Sequence, residues 1–499
     1  MKFAIRADAS REIGHGHVTR CLTLAAALRA AGGRVEFVCR KLSGDLLDRI
    51  AREGFPACEL PATATTAAAD ARETCRALDA HGPVDWLIVD HYGLGAAWER
   101  SMRTHAQRVM VIDDLADRRH DCDLLLDQNI VANAARRYHG LVPDQCALLL
   151  GPEYALLQAV YRELHEQTPL RQGRVRRILI SWGGADNFGL TGRSLAAVLR
   201  ATAVGVAVDV VVTRGHRDAD EVRRFAQRYP NVSVHADLPS LAPLLAVADV
   251  SIGACGTTSW ERLCLGVPSI VATVAENQRA IAQELSRRDL IMYLGHYDQV
   301  TDDQMVRAVQ EVLTRELTAW SAACRAVVDG SGAERVATVL SLATPRLRAR
   351  PADARDEALL LGWVNDPVTR ASALRTHRIT AEEHHAWLAE RLRDADCRMF
   401  ILETLAGEAI GQVRFERGLD GWRIDYSVAP ERRGQGFGRA VLRAAMDSLQ
   451  AENPNAAFIG FVKEANQASR RVFESLGFTA HSADGMVEYR SRPVAAIAP

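Results

Sequence analysis

A rhythm of short apolar runs alternating with amphipathic helical stretches governs this sequence: it runs once, restarts, and then stops. Phe3–Ile5, Val35–Cys39, Trp86–Asp90, Val109–Asp113 and Leu124–Leu126 read as buried strands, with helices such as Val18–Ala31 and Ala67–Ala80 between them. Such alternation predicts an α/β fold, a parallel sheet covered by helices on both faces. Near residue 176 the rhythm begins again with Arg177–Trp182, Val208–Thr213, Val232–His235, Asp249–Ile252 and Ser269–Val274, and helical stretches at 302–318 and 331–342 close it. Two Rossmann-like domains are therefore expected, at 1–165 and 166–342. The charged, proline-flanked stretch 343–350 reads as a linker. Beyond it, 351–492 turns to an α+β pattern: a helix near 380–393, a hairpin from Met399–Glu403 and Ala409–Phe415, the strand Trp422–Val428, a glycine-rich turn into a helix, and Phe458–Val462 as the last clear strand.

Bulk properties narrow the function classes. A chain of 499 residues is too long for one core, and 48% apolar with 25% charged residues is ordinary for globular proteins. A net charge of −1 gives no electrostatic case for nucleic acid or a stable membrane association. The start, Met1-Lys2-Phe3-Ala4-Ile5-Arg6, is too quickly charged for a signal peptide, and no apolar run reaches the roughly 20 residues of a membrane span. The ten cysteines form no C-x-x-C pair, which argues for a reducing, cytoplasmic setting. Lys2, Lys41 and Lys463 are the only lysines, so there is no G-x-x-x-x-G-K-[ST] loop and no P-loop NTPase.

The first strand runs into Gly14-His15-Gly16-His17-Val18-Thr19-Arg20-Cys21, where a helix opens. Glycines there let the backbone approach a ligand, and a neutral imidazole at a helix start suits a general base. In the second domain, Gly183-Gly184-Ala185-Asp186-Asn187 and Gly253-Ala254-Cys255-Gly256-Thr257-Thr258-Ser259-Trp260-Glu261 each leave a strand end. Their amides and the Thr257 and Thr258 hydroxyls can cradle a diphosphate, and Glu261 can accept the hydroxyls of a ribose. The plainer reading makes the threonines helix caps and Glu261 a surface acid.

These strings, with Arg6-x-Asp8, Ile112-Asp113-Asp114, Asp127-Gln128-Asn129 and Glu276-Asn277-Gln278, resemble the UDP-sugar hydrolases of pseudaminic acid biosynthesis over about 1–342. That family is similar to the GT-B glycosyltransferases, so the resemblance implies two Rossmann-like domains in a GT-B arrangement. It implies His17 as the base that activates water against the anomeric carbon of a UDP-2,4-diacetamido-2,4,6-trideoxy-altrose, releasing UDP with inversion and without a metal. The substrate-binding set it implies is Arg6, Asp8, Gly14, Gly16, Arg20, Asn129, Gly183, Gly184, Asp186, Gly256, Thr257, Thr258, Glu261, Asn277 and Gln278. UDP leaves as a stable anion, so one base and a dipole-lined pocket suffice where glycosidases need two carboxylates.

In the last third, Val428-Ala429-Pro430-Glu431-Arg432-Arg433-Gly434-Gln435-Gly436-Phe437-Gly438-Arg439 lies between a strand and an amphipathic helix, and Asn466-x-x-Ser469-x-x-x-Phe473-x-x-x-Gly477-Phe478 follows the next strand. Consecutive amides there form a pyrophosphate nest. Together these look like the GNAT acetyltransferases, which implies acetyl-CoA as cosubstrate held by Val428, Arg433, Gly434, Gln435, Gly436, Phe437, Gly438 and Asn466. Phe473 departs from the pattern, because many GNAT enzymes have a tyrosine there to protonate the departing thiolate. The general acid is therefore unassigned: Tyr426, on the strand before the loop, is one candidate, and orientation with polarisation of the thioester carbonyl by strand amides is the alternative. In the pathway the resemblance points to, N-acetylation of a UDP-4-amino sugar directly precedes UDP removal, so the two halves are expected to catalyse consecutive steps on UDP-amino sugars. The alternatives are a GT-B glycosyltransferase with an unrelated acetyltransferase, or a non-catalytic nucleotide-sugar sensor.

Overall fold

The structure is a computed structural model that describes residues 1–63, 65–183, 186, 188–202, 205–212, 218–236, 238–342, 347–372, 377–404, 407–433, 437–483 and 485–491. The chain divides into two compact units, Met1–Leu342 and Ala343–Pro499.

The first unit holds two sheets. One contains seven parallel strands, β1 (Lys2–Ala7), β2 (Arg34–Arg40), β3 (Ala57–Leu60), β4 (Val84–Asp90), β5 (Ala106–Ile112), β6 (Leu124–Asp127) and β7 (Ala147–Leu150), in the order β3-β2-β1-β4-β5-β6-β7. The other contains six, β8 (Arg177–Ser181), β9 (Ala207–Val212), β10 (Val232–Ala236), β11 (Val250–Ala254), β12 (Ser269–Thr273) and β13 (Met292–His296), in the order β10-β9-β8-β11-β12-β13. Their central strands are apolar on both faces, as Ala4, Ile5, Leu87 and Ile88 show by being wholly buried. In each sheet the winding reverses between the first and fourth strands, β1/β4 and β8/β11, and a crevice opens at the carboxyl ends there. These are the two parallel, Rossmann-like sheets expected from the sequence.

Helix Gly16–Ala30 buries Val18, Cys21, Leu22, Ala25 and Leu28 at helical spacing against the first sheet. It stops at Gly32, whose φ of +85° allows the amides of Gly32 and Gly33 to reach the carbonyls of Arg29 and Leu28 at 3.0 and 2.9 Å. Helix Gly332–Leu342, at the end of the second Rossmann pattern, returns to pack on Gly16–Ala30, and the Trp86 indole donates to the Leu340 carbonyl at 3.2 Å. The helical stretch expected at 302–318 is two helices, Asp302–Thr314 and Thr318–Arg325, because Arg315 is extended (ψ 140°).

The second unit is a mixed seven-stranded sheet, β14 (Arg348–Pro351), β15 (Cys397–Glu403), β16 (Ala409–Gly418), β17 (Gly421–Val428), β18 (Phe458–Lys463), β19 (Thr479–Ala483) and β20 (Met486–Arg490), ordered β14-β15-β16-β17-β18-β20-β19. Residues 348–350, expected as linker, thus form an edge strand tied down by Arg350 to Glu403 and Asp356; residues 343–346 lie outside the described residues. The parallel pair β17/β18 is joined only from Trp422–Phe458 to Ile424–Gly460. Beyond Ile424 the two strands part, with Tyr426 and Val428 on the freed stretch of β17.

Candidate active sites

In the first sheet the crevice between β1 and β4 is filled from both strands. The loop after β1 is closed by the Gly14 amide donating to the Ser10 carbonyl at 2.9 Å, with Gly14 at φ +83°. That turn delivers Gly16 to the start of the helix and sets His17, Arg20 and Cys21, spaced three and four apart, on one face. All three meet Asp90, the last residue of β4. His17 Nδ1 lies 2.6 Å from Asp90 Oδ1, Arg20 donates to both Asp90 oxygens at 2.6 Å, and the Cys21 thiol lies 3.6 Å from Oδ2. Burial opposes ionisation of Asp90, but Arg20 and His17 outweigh it and hold the carboxyl well below the usual carboxylate range. An ionised carboxylate only accepts, so His17 must donate from Nδ1, which leaves Nε2 as the basic nitrogen. Asp90 was not among the expected site residues. Its signal was present: it is the acid that ends the fourth strand, beside the first, at the switch point.

His17 is 7% exposed, and its ring meets the edge of Tyr92 with centroids 4.5 Å apart. The Tyr92 hydroxyl accepts a hydrogen bond from Asn277 Nδ2 at 3.3 Å, so a residue of the second sheet's loops reaches the His17 site. His15 is elsewhere, exposed, with Nε2 3.2 Å from the Gly44 carbonyl.

Three of the expected substrate contacts in the first sheet need correction. Arg6 and Asp8 are 0% and 1% exposed and pair with each other at 2.6 and 2.9 Å. Arg6 also binds Asp70, and Asp8 accepts from the Arg40 amide and guanidinium at 2.8 and 2.7 Å. This buried ion cluster props up the end of β1, and its side chains face protein. Arg20 likewise spends its guanidinium on Asp90 and, at 3.4 Å, Asp114, so it positions the carboxylate behind His17. Asn129 is 5% exposed; its amide donates to Asp127 Oδ1 at 3.0 Å, while its side-chain Nδ2 has no partner among the described residues.

In the second sheet, Gly183 (φ +91°) follows β8, and Gly184 and Asn187 lie outside the described residues. Asp186 caps helix Leu190–Ala201, accepting from the Leu190 and Thr191 amides at 3.0 and 2.6 Å, instead of projecting as an expected substrate contact. After β11 the turn at Gly256–Thr258 is open: Thr257 is exposed, and a Cβ on Gly256 would meet only Gln278 Nε2 at 3.9 Å. The Gln278 Oε1 accepts from the Val274 amide at 2.9 Å and so fixes the loop that carries Asn277. Glu261 is half-buried below the turn, and burial pushes its carboxyl up against the lowering effect of the Tyr161 hydroxyl, the Arg262 charge and the Thr258 hydroxyl.

In the second unit, Gly434, Gln435 and Gly436 lie outside the described residues. The side chains around them serve the fold. Arg433 donates to the Val428 carbonyl at 3.2 Å, to Asp366 at 2.5 Å and to Thr369 at 2.7 Å, so it anchors the loop's start, contrary to its expected contact with the cosubstrate. Phe437 is a core residue, and a Cβ on Gly438 would come within 2.9 Å of Val472, so that glycine lets two helices approach. Asn466 caps helix Gln467–Ser475 by accepting from the Ser469 amide at 3.1 Å. Phe473 is 2% exposed and stacks on Tyr489 with centroids 5.0 Å apart, beneath Gly460. Tyr426, in the splay of β17 and β18, has its hydroxyl 3.0 Å from Ser469 Oγ, and burial pushes its pKa up. Residues 346–479 match the family described as acetyltransferase (GNAT) domain.

The second unit carries a GNAT domain. The edge of β17 past Ile424 has no β18 partner among the described residues.

Comparisons also reach the first unit. The chain is 26% identical over 288 residues, 58% of its own length and 97% of the relative's, to the UDP-2,4-diacetamido-2,4,6-trideoxy-beta-L-altropyranose hydrolase of Campylobacter jejuni. It is 22% identical over 494 residues, 96% of each chain, to the uncharacterized protein MJ1062 of Methanocaldococcus jannaschii. The spore coat polysaccharide biosynthesis protein SpsG of Bacillus subtilis is 26% identical over 193 residues, 38% of this chain and 57% of that one. Homology to a hydrolase on one side and a GNAT domain on the other make the chain an enzyme with two activities. No helix among the described residues is long and apolar enough to cross a membrane.

Proposed function

We propose that the first unit hydrolyses the C1–O bond of UDP-2,4-diacetamido-2,4,6-trideoxy-β-L-altropyranose, and that the GNAT domain makes that substrate by acetylating the 4-amine of the preceding UDP-amino sugar. The observation that carries the reading is the 2.6 Å His17–Asp90 contact at the switch point, with the ring turned to Tyr92 and, through it, Asn277. Asp90 holds the tautomer, so Nε2 takes a proton from water as the water oxygen bonds to C1 and the electron pair of the C1–O bond leaves on UDP. A general base of this kind supplies about 10²–10⁴-fold. The remaining barrier reduction comes from placing the diphosphate at the open turn, Gly256–Thr258, beside Gln278, with Glu261 in reach of a ribose. No second carboxylate is needed, because UDP departs unprotonated.

In the GNAT domain, the amine nitrogen bonds to the thioester carbonyl carbon and sheds its proton to solvent, and the C–S bond breaks to release the thiolate. Phe473 has no proton to give, and Tyr426 takes that role, its hydroxyl oriented by Ser469. Burial keeps the Tyr426 phenol protonated, so its proton is present when the thiolate forms. Both reactions belong in the cytoplasm, where UDP-sugars and acetyl-CoA are available, and they follow one another on one sugar. Incubating the protein with acetyl-CoA and the UDP-4-amino sugar, while following free thiol and UDP separately, tests this. Thiol release preceding UDP release supports the order, and UDP release at full rate without acetyl-CoA overturns it.

A further inference from the structure

Arg262 is a buried cation on which the Glu261 carboxyl acts through space without pairing with it. It lies in helix Thr258–Cys264, 1% exposed, and no ion pair to it is seen among the described residues. Its Nη2 donates to the Ala254 carbonyl at 2.5 Å and to Ser259 Oγ at 3.1 Å, while Nε and Nη1 have no partner among the described residues. Burial pushes the guanidinium pKa down by more than Cys255 and Glu261 raise it, the cost expected of a buried charge held by no ion pair.

The surrounding backbone is shaped to admit it. Gly253 lies beside the guanidinium: a Cβ there would run into the Ser181 carbonyl and come within 3.2 Å of Arg262 Nη1. The charge therefore sits between the ends of β8 and β11, at the base of the turns that begin at Gly183 and Gly256. Above it, the amides of Gly256, Thr257 and Thr258 donate to no protein acceptor among the described residues. The Ala254 carbonyl, which the Thr258 amide would use if the helix extended backward, is taken by Arg262 instead.

We propose that Arg262 is a buried counter-charge for the diphosphate of the nucleotide substrate, a positioning residue that acts through the 254–258 turn without touching the ligand. This rests on the UDP-binding reading above. It withdraws the one carbonyl that would otherwise engage the turn's amides, and its field favours anions placed there. Breaking the C1–O bond adds a further negative charge to the diphosphate, so the same cation favours the departing group over the bound substrate.

The test compares UDP with uridine, which lacks the phosphates, binding to the full-length protein. Arg262→Met, which keeps the length of the side chain but removes its charge, is expected to weaken UDP about 10- to 100-fold and leave uridine within about twofold, with Arg262→Lys closer to wild type for UDP. Equal losses for UDP and uridine, or no loss for either, overturn the proposal in favour of a purely structural arginine, and so does Arg262→Lys as damaging as Arg262→Met. Should Arg262→Met not fold, Arg262→Gln takes its place, with a loss selective for UDP supporting the charge role and an unchanged UDP-to-uridine ratio overturning it. Failure of the wild-type protein to bind UDP at all would remove the nucleotide reading itself, an outcome distinct from any change in the ratio.

Discussion

Asp90→Asn probes the first unit most sharply, because it changes one atom behind His17 and leaves the second sheet untouched. The carboxylate accepts from His17 Nδ1 and from two Arg20 nitrogens, each at 2.6 Å. An amide in that place offers a single acceptor oxygen. Arg20 competes for it, and the amide NH₂ turned to the imidazole selects the tautomer with its proton on Nε2. That tautomer cannot accept a proton from water. A carboxylate-to-amide change behind a histidine base costs up to about 10⁴-fold in turnover, and total loss of general-base catalysis about 10²–10⁴-fold. The expected fall in kcat is therefore about 10²–10⁴, or ~3–5 kcal/mol of barrier. Because the proposed diphosphate turn, Gly256–Thr258, lies on the other sheet, UDP affinity is expected to stay within about threefold, under 1 kcal/mol. Part of the effect could be structural, since Arg20 loses an ionised partner, so circular dichroism and thermal melting accompany the rate of UDP release. A folded Asp90→Asn protein that releases UDP within threefold of the wild-type rate would refute the dyad.

Other expectations follow from the same geometry. Gly256→Ala meets only Gln278 Nε2 at 3.9 Å, so it should fold normally yet hold UDP about 10-fold less tightly, by occupying the space a diphosphate needs; calorimetry checks this. Tyr426→Phe should lower acetyl transfer by about 10²-fold while leaving UDP release from an already acetylated sugar unchanged, as a thiol assay run beside a UDP assay will show. Phe473→Tyr should not restore a proton donor, because the ring end points at Gly460 under the sheet; a lower melting temperature with no gain in thiol release is expected. Burial pushes the Asp127 carboxyl up to about 6, against Arg137, so the folded state binds its proton more tightly than the unfolded chain. Stability should then fall as pH rises from about 4 to about 6 and level off above, and Asp127→Asn should reduce that slope by up to one proton in denaturant titrations.

The sheets were legible because a parallel strand buried on both faces is a continuous apolar run. β3, β7 and β13 escaped notice for the opposite reason: Ala57-Cys58-Glu59-Leu60 has a charge at an edge, β7 is four residues at the other edge, and β13 contains Gly295 and His296. β14 read as linker because Arg-Ala-Arg-Pro is an edge strand whose charges are satisfied by Glu403 and Asp356, partners distant in sequence. At the site, local strings placed His17 and the turn at Gly256–Thr258, since glycine turns at strand ends are written in consecutive residues. They misassigned Arg6, Asp8 and Arg433, whose ion pairs depend on Asp70, Arg40 and Asp366 arriving from elsewhere. Asp90 needed the strand order: only with β4 beside β1 does its carboxylate face the helix that carries His17.

In the proposed hydrolysis, His17 drives water onto the anomeric carbon. Hydrolysis of the UDP-sugar in ¹⁸O-water, followed by mass spectrometry of both products, measures this directly. The label is predicted to appear in the free sugar, with UDP unlabelled and turnover lost in His17→Ala. Label in UDP would mean attack at phosphorus, and label in the sugar at undiminished rate without His17 would mean that another group is the base.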